Sequence, residues 1–427
     1  MGTKISKIAQ RARNNPKEVF TSIYHLLNEE LLMECHKELN GNKATGIDQI
    51  TKEIYSHNLK TNIKQLVRKL KNKSYKPTPA KRVYIPKANG KMRGLAIAIY
   101  EDKIVQLALK KIVEAIYEPK FPKYMYGFRP NKGCHDAIKG LHYILSTSKV
   151  GYIVDADIKG FFDHVNHKWL IKCIEQHIKD PNIIKLIIRF LKAGILEQGK
   201  YIDTNEGTPQ GSILSPILAN IYMYYVLAKW FEIKVKKEFY TECHIVMYAD
   251  DFICCFQSQY IAQLFLKDLL PNRLKKFNLN LAEDKTNLIK FGRYAGKEAG
   301  TFDFLGFTHY SAVGRNGKYI AKRKTSKKKY NAKIKEYTIW LKRNRTLPVK
   351  EIIRKTNEKL RGHYHYFGVS ENMKMIRRYK HEIENNLIKW LNRRSQRKSY
   401  TIEQYHEMIK MYPLEEPKIY VSLYNKE

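Results

Sequence analysis

Four residues, Tyr248-Ala249-Asp250-Asp251, constrain this chain more than any other stretch. His244-Ile245-Val246-Met247 precedes them and Phe252-Ile253-Cys254-Cys255-Phe256 follows. Both flanks are apolar and rich in β-branched or aromatic residues, so they read as two strands. The acidic pair then falls at the tip of a hairpin. Two carboxylates set among apolar strands are costly unless their charge is compensated. A divalent cation is the usual compensation, and a carboxylate pair that holds magnesium suits nucleotidyl transfer. Alone, the tetrapeptide is also compatible with a solvated turn. The rest of the chain decides between these readings.

A second acidic element lies upstream, Asp155-Ala156-Asp157-Ile158-Lys159-Gly160-Phe161-Phe162-Asp163. Asp155 and Asp157 share one face of a strand, and Asp157 at its end is placed to meet the Asp250 hairpin across a sheet. Both acids lie in apolar strands rather than on a charged face, which argues against mere charge balance with nearby lysines. The third element, Gly207-Thr208-Pro209-Gln210-Gly211-Ser212-Ile213-Leu214-Ser215-Pro216, reads as a loop that brings Gln210 to a pocket wall. It also reads as a helix start, with Ser215 as N-cap and Pro216 at the first helical position. The fourth runs from Ile85-Pro86-Lys87 to Arg93, two cations flanking a turn at Asn89-Gly90, suited to gripping a triphosphate.

Charge points to the partner. The 427 residues carry a formal net charge of +38, and 43% are hydrophobic. Cores can therefore form, two or three domains are expected, and a polyanion, by default nucleic acid, would neutralise the excess. An anionic membrane surface is the runner-up, but no stretch is apolar and long enough to span a bilayer and no signal-peptide pattern opens the chain. The six cysteines include no Cys-x-x-Cys pair, which argues against zinc and for free thiols in a reducing cytoplasm.

Residues 1–75 read as lysine-rich amphipathic helices, an N-terminal extension and fingertip region. Residues 76–310 mix strands and helices. Strands are expected at 81–85, 91–93, 151–158, 288–291 and 302–307, and helices at 102–117, 215–232 and 261–277. Composition shifts after Tyr310, where a domain boundary is placed. The charge runs Lys322-Arg323-Lys324 and Lys327-Lys328-Lys329 follow, read as a nucleic-acid face. The pattern over 311–400 is mostly helical, with Trp340, Leu341, Leu360, Trp390 and Leu391 as core positions, and 401–427 forms a short tail.

Taken in order, these elements resemble a reverse transcriptase of the group II intron maturase family. The matching blocks are Tyr84-Ile85-Pro86-Lys87, Tyr126-Gly127-Phe128-Arg129-Pro130-Asn131, Asp157-Ile158-Lys159-Gly160-Phe161-Phe162-Asp163, Pro209-Gln210-Gly211, Tyr248-Ala249-Asp250-Asp251, the segment 281–286 and Phe304-Leu305-Gly306-Phe307. Ala44-Thr45-Gly46-Ile47-Asp48 looks like the extra fingertip block of non-retroviral members. Leu360-Arg361-Gly362-His363-Tyr364 and Trp390-Leu391-Asn392-Arg393-Arg394-Ser395 resemble the maturase thumb. The similarity covers about residues 40–400.

The resemblance implies an α+β right hand: fingers, a palm with an antiparallel sheet, and an α-helical thumb of the maturase X type. It implies RNA-directed DNA synthesis with two Mg2+ ions, for which Mn2+ could substitute, held by Asp157, Asp250 and Asp251. Lys87 and Arg93 would bind the incoming deoxynucleoside triphosphate and Gln210 its sugar. Phe161 and Phe162 would line the nucleotide site, with Phe162 under the sugar excluding a 2′-hydroxyl. Lys285 would stand beside the leaving pyrophosphate as proton donor. Leu305, Gly306 and Phe307 would support the primer end, and Lys327, Lys328 and Lys329 would contact RNA. Expected partners are an RNA template, structured intron RNA and a DNA target or primer. Two rivals stay open: a reverse transcriptase outside an intron, serving phage defence or a CRISPR locus, and a splicing maturase whose polymerase is idle. Gly94-Leu95-Ala96-Ile97 departs from the family, which usually carries proline after the arginine. Neither a His-Asn-His pattern nor a cysteine-pair site follows residue 400, so no endonuclease domain is expected.

Overall fold

The computed structural model describes residues 3–86, 90, 92–314, 316–394 and 399–424. Its strands, in chain order, are β1 (Ala80–Pro86), β2 (Met92–Ile97), β3 (Tyr152–Ala156), β4 (Ile195–Glu197), β5 (Lys200–Ile202) and β6 (Cys243–Tyr248). They continue with β7 (Asp251–Phe256), β8 (Asn287–Lys290), β9 (Thr301–Phe304), β10 (Phe307–Val313) and β11 (Tyr319–Thr325). The chain divides into two compact units. One comprises Met1–Ala137 with Val154–Leu288, the other Ile138–Ile153 with Ile289–Glu427. The division therefore passes through β3 and β8, while the boundary expected near residue 310 falls inside β10.

In the first unit, the N-terminal helices are amphipathic, as their sequence requires. Leu59–Lys71 buries Ile63, Leu66, Val67 and Leu70 on one face. Asn28 and Thr51 start the helices Glu29–Glu38 and Lys52–His57 by accepting the N–H groups of Leu31 and Ile54. The helix Tyr100–Tyr117 is buried on nearly every side, the behaviour of a helix at the centre of a core. A four-stranded sheet of order β2-β1-β4-β5 carries the Arg93 strand. Its β1–β2 ladder is antiparallel and runs unbroken from Lys81↔Ile97 to Pro86↔Met92, so Gly94, opposite Tyr84, leaves the pairing intact. A second sheet has the order β6-β7-β3-β8.

The apolar helix expected over 215–232 begins at Ser215 and continues through two wide π turns, Tyr224–Ala228 and Phe231–Val235. Its N-cap is Leu214, not Ser215. The Ser215 hydroxyl instead donates back to the carbonyl of Pro209 at 2.9 Å, closing the preceding loop.

In the second unit, β9, β10 and β11 form an antiparallel sheet of order β11-β10-β9. Two expectations change here. The strand expected at 302–307 is broken by a reversal at Leu305 and Gly306, whose φ angles are +48° and +82°, so that Phe304 pairs with Phe307. The run Lys322-Arg323-Lys324 lies on β11 rather than on a helix, and Arg323 is only 1% exposed. Its guanidinium donates to Nδ1 of His142 at 2.9 Å and lies 3.5 Å from the Glu371 carboxylate. That arginine is structural and cannot serve a nucleic-acid face.

The helices Lys327–Asn344, Val349–Phe367, Met373–Leu391 and Ile402–Met411 complete this unit around a core of Tyr337, Leu341, Ile352, Leu360, Ile376 and Leu391. Trp340 and Trp390, expected in that core, pack against its edge and are partly buried. The whole is a mixed α+β protein with a helical C-terminal region. Among the described residues no helix is long and apolar enough to cross a membrane.

Candidate active site

The acidic hairpin forms as its sequence implied. Tyr248 pairs with Asp251, leaving Ala249-Asp250 as a two-residue turn. Ala249 adopts φ +58°, the left-handed conformation that such tight turns need and that a residue with a Cβ adopts at a cost. The strain is held by a neighbour. The Tyr126 N–H donates to Met247 O, and the Met247 N–H donates to Tyr124 O, both at 2.9 Å. Gly127 then passes so close that a Cβ there would sit 2.2 Å from the Ala249 nitrogen. The Asn220 amide clamps the Gly127 carbonyl at 2.8 Å. A Tyr-Gly-Phe backbone thus braces the turn that carries Asp250.

Asp157 follows the end of β3. Its carbonyl accepts the Ala282 N–H at 2.8 Å, and the Lys159 N–H donates to Asn280 O at 2.9 Å. This short pairing, with Ile158 opposite Leu281, brings the 3-10 turn Glu283–Lys285 alongside. The Lys285 ammonium lies 2.5 Å from Oδ2 of Asp157.

Next along the chain, Gly160 at φ +55° turns the backbone into the 3-10 segment Phe161–Asp163. Phe161 is buried, whereas Phe162 is half-exposed, edge-on to Phe161 at 5.3 Å and to Phe128 at 6.4 Å between ring centroids. The Thr208 N–H donates to the Phe162 carbonyl at 2.7 Å, tying the Gln210 loop to this turn. The same loop meets β2, where the Ala96 N–H donates to Gln210 O at 2.6 Å. Gly211 at φ +107° permits that approach, since a Cβ would lie 2.8 Å from Ala96 O.

These elements enclose a cavity of about 550 Å³, lined by Arg93, Asp157, Phe162, Gln210, Asp250 and Lys285 together with Phe161 and Phe128. Seven of the residues singled out from the sequence thus converge: Arg93, Asp157, Phe161, Phe162, Gln210, Asp250 and Lys285. Asp251 is not on the lining. Burial, then the charges of Asp155, Asp250 and Asp157, pushes its carboxyl up to about 7. Burial also raises Asp250, whose other neighbours are Asp157 on the raising side and Arg93 and Lys285 on the lowering side. Oxygen donors whose mutual repulsion is only partly relieved, by Arg93 and Lys285, suit a hard divalent cation. Among the described residues no three acidic, histidine or cysteine side chains are already gathered as a closed metal cage.

Lys87 falls outside the described residues. Leu305, Gly306, Phe307, Lys327, Lys328 and Lys329 belong to the second unit. There the Ser326 N–H donates to Gly306 O at 3.0 Å and the Tyr366 hydroxyl to Leu305 O at 2.9 Å, fixing the reversal. The three lysines are exposed in the first turn of the helix Lys327–Asn344, which the Ser326 side chain caps. Two participants carried no assigned role in the sequence reading. Asp155 is the charge that acts most strongly on Asp251, and its alternation with Asp157 was the available signal. Phe128 lines the cavity at φ +56°, and only its place in the Tyr-Gly-Phe block marked it.

Known proteins resemble the chain in both of its halves. The family model for reverse transcriptase (RNA-dependent DNA polymerase) matches residues 85–309. The group II intron, maturase-specific domain matches residues 327–408. Group II intron-encoded protein LtrA of Lactococcus lactis subsp. cremoris is 40% identical over 222 residues, 52% of this chain and 37% of that protein. Protein YkfC of Escherichia coli K12 is 33% identical over 224 residues, 51% of this chain and 59% of its own length. The Putative COX1/OXI3 intron 2 protein of Saccharomyces cerevisiae is 30% identical over 244 residues, 56% of this chain and 28% of its own. Each match spans less than two thirds of the relative. Members of this family generally use a divalent metal, and the two domains imply contact with template or intron RNA. With a reverse transcriptase domain followed by a maturase-specific domain, the chain belongs to the group II intron reverse transcriptase/maturase family.

Proposed function

We propose that this protein is an RNA-directed DNA polymerase with a right-hand arrangement of fingers, palm and helical thumb, and that it also binds structured intron RNA as a maturase. The observation that carries the polymerase reading is the convergence of Arg93, Asp157, Phe162, Gln210, Asp250 and Lys285 on one cavity. Each supplies what nucleotide addition demands. Arg93 offers a fork of donors to a triphosphate. Gln210 would contact the sugar, and the Phe162 ring would exclude a 2′-hydroxyl. Lys285 can hold and release a proton at the leaving pyrophosphate.

Asp157, Asp250 and Asp251 would hold two magnesium ions, which when bound supply Lewis-acid stabilisation of phosphoryl charge and acidify the attacking hydroxyl. The repulsion that Arg93 and Lys285 leave within this acidic group, greatest at Asp251, fits such an occupant. The maturase-specific match favours an intron setting over the other contexts open from sequence. Three lysines in the first turn of Lys327–Asn344 oppose the helix dipole, a placement that a polyanionic partner would offset.

The test is primer extension by the full chain on a poly(rA) template with an oligo(dT) primer, dTTP and magnesium. Extension is expected, and Asp250→Asn should reduce it by roughly 10²–10³-fold or more while leaving RNA binding nearly unchanged. Synthesis undiminished in Asp250→Asn would overturn the site assignment. Absence of synthesis by the wild type on RNA templates would overturn the polymerase reading.

A further inference from the structure

The second unit contains a cavity of about 500 Å³ between the helices Lys327–Asn344, Val349–Phe367 and Met373–Leu391. That volume lies within the range of small-ligand sites, roughly 300–1,000 Å³, and is far too small for a duplex. Tyr366, Phe367 and His363 give it flat aromatic walls; Lys329 and Lys359 supply cations, and Lys333 lines it paired with Glu336 at 2.9 Å.

Two observations say that the space is kept open for something. The first is Gly362, which lines it from the interior of the helix Val349–Phe367. A glycine there costs helix stability relative to alanine. Nothing in the backbone requires it, since its φ is not positive, and a Cβ would meet nothing within 4 Å. Neither conformation nor packing explains the residue, whereas a larger side chain would project into the cavity. The second is His363, which is 6% exposed and stacked on Tyr379 at 3.6 Å and 8°. Among the described residues neither of its ring nitrogens has a hydrogen-bond partner. Burial, with Lys333 nearby, holds the imidazole down at about 3, so it is neutral and presents one donor and one acceptor. Leaving both unmet inside a protein is costly, and since both nitrogens are buried behind the ring, a small turn of the imidazole on Tyr379 would bring its edge to a ligand with complementary groups.

An unstacked nucleobase meets every requirement: a flat face for the aromatic walls, an edge with donor and acceptor for His363, and an attached phosphate for the lysines. Bases inside a helix are hidden from such a pocket. We propose that this cavity takes up one unpaired nucleotide of the RNA bound by the second unit. The proposal rests on the reading of that unit as RNA-binding.

The test uses the full chain in EDTA without nucleoside triphosphates, so that binding is read apart from catalysis. Two RNA hairpins of the same stem are compared, one fully paired and one with a single bulged 2-aminopurine. The wild type should bind the bulged hairpin about tenfold more tightly, as one stacked base allows, with a change in 2-aminopurine emission. Gly362→Leu should erase both the preference and the emission change, retain the affinity for the paired hairpin, and unfold no earlier than the wild type. His363→Phe, which keeps a ring but no nitrogens, should weaken the preference. Equal binding of the two hairpins by the wild type, or a preference intact in Gly362→Leu, would overturn the pocket while sparing RNA binding itself. Failure to bind either hairpin would overturn both readings.

Discussion

Lys285 and Asp157 lie 128 positions apart in sequence and form an ion pair with 2.5 Å between Nζ and Oδ2. The pair is partly exposed, so it contributes little to stability. Its place on a cavity shared with Asp250 and Arg93 points instead to chemistry. Lys285→Ala should slow nucleotide addition by roughly 10²–10⁴-fold, the range for loss of a positioned proton donor, with little change in unfolding temperature. Lys285→Arg keeps the charge but holds its proton too tightly to donate it, and should stay slow. Single-turnover rates for both variants check this, and an alanine variant within a few-fold of wild type would remove Lys285 from the reaction.

Phe162 is half-exposed against Phe161 and Phe128. Phe162→Ala should let ribonucleotides into the product, raising rATP use relative to dATP by about tenfold or more, as loss of a steric filter allows. Competition between the two substrates on one template measures the ratio. No change would make Phe162 a packing residue.

Gly127→Ala should damage the acidic hairpin without touching a carboxylate. The added methyl would sit 2.2 Å from the Ala249 backbone nitrogen, and neither strand can retreat without breaking the hydrogen bonds at Met247. A loss of about 1–3 kcal/mol is expected from such overpacking, read by urea unfolding, together with a large fall in primer extension. A fully active, fully stable variant would show that the brace is dispensable.

The second unit should weaken in acid. Burial, then the charges of Arg323 and His142, holds His309 down at about 3, and burial beside Arg323 holds His142 at about 4. A depressed histidine gives stability that is present above its ordinary value of about 6.5 and is lost as pH falls below it, because only the unfolded chain then takes the proton. Each such group contributes a slope of roughly 1.4 kcal/mol per pH unit between these limits. His309→Phe should remove about one proton's worth of slope between pH 6 and pH 4, read from unfolding midpoints across pH. An unchanged slope would place the acid sensitivity elsewhere.

Local chemistry made part of this legible. The hairpin at Asp250 is written in neighbouring residues, so it could be read from them. Long-range partners hid the rest. Arg323 reads as one cation in a run, yet its burial depends on His142, 181 positions away, and on Glu371. Phe302, Phe304 and Phe307 suggest one strand because leucine is a poor turn residue, so Leu305 gave no warning of its positive φ. The two π turns after Met223 add residues to a helix without altering its apolar composition. Asp155 carried the right alternation but sat one pair further from the motif.

The short segment Ile138–Ile153, which belongs with the C-terminal half, bears on how the protein is made. Ribosomes finish this stretch long before its partners exist. Ile138 joins a core otherwise supplied from Phe307 onward, and the Gly151 carbonyl waits for the Phe291 N–H. Until then these surfaces stand open to misassociation, the hazard of late-closing contacts during synthesis. By the same logic, a fragment cut near residue 310 and expressed alone would lack Ile138 and the histidine that meets Arg323. Attempts to isolate the maturase portion should carry residues 138–153 along, by fusion or co-expression.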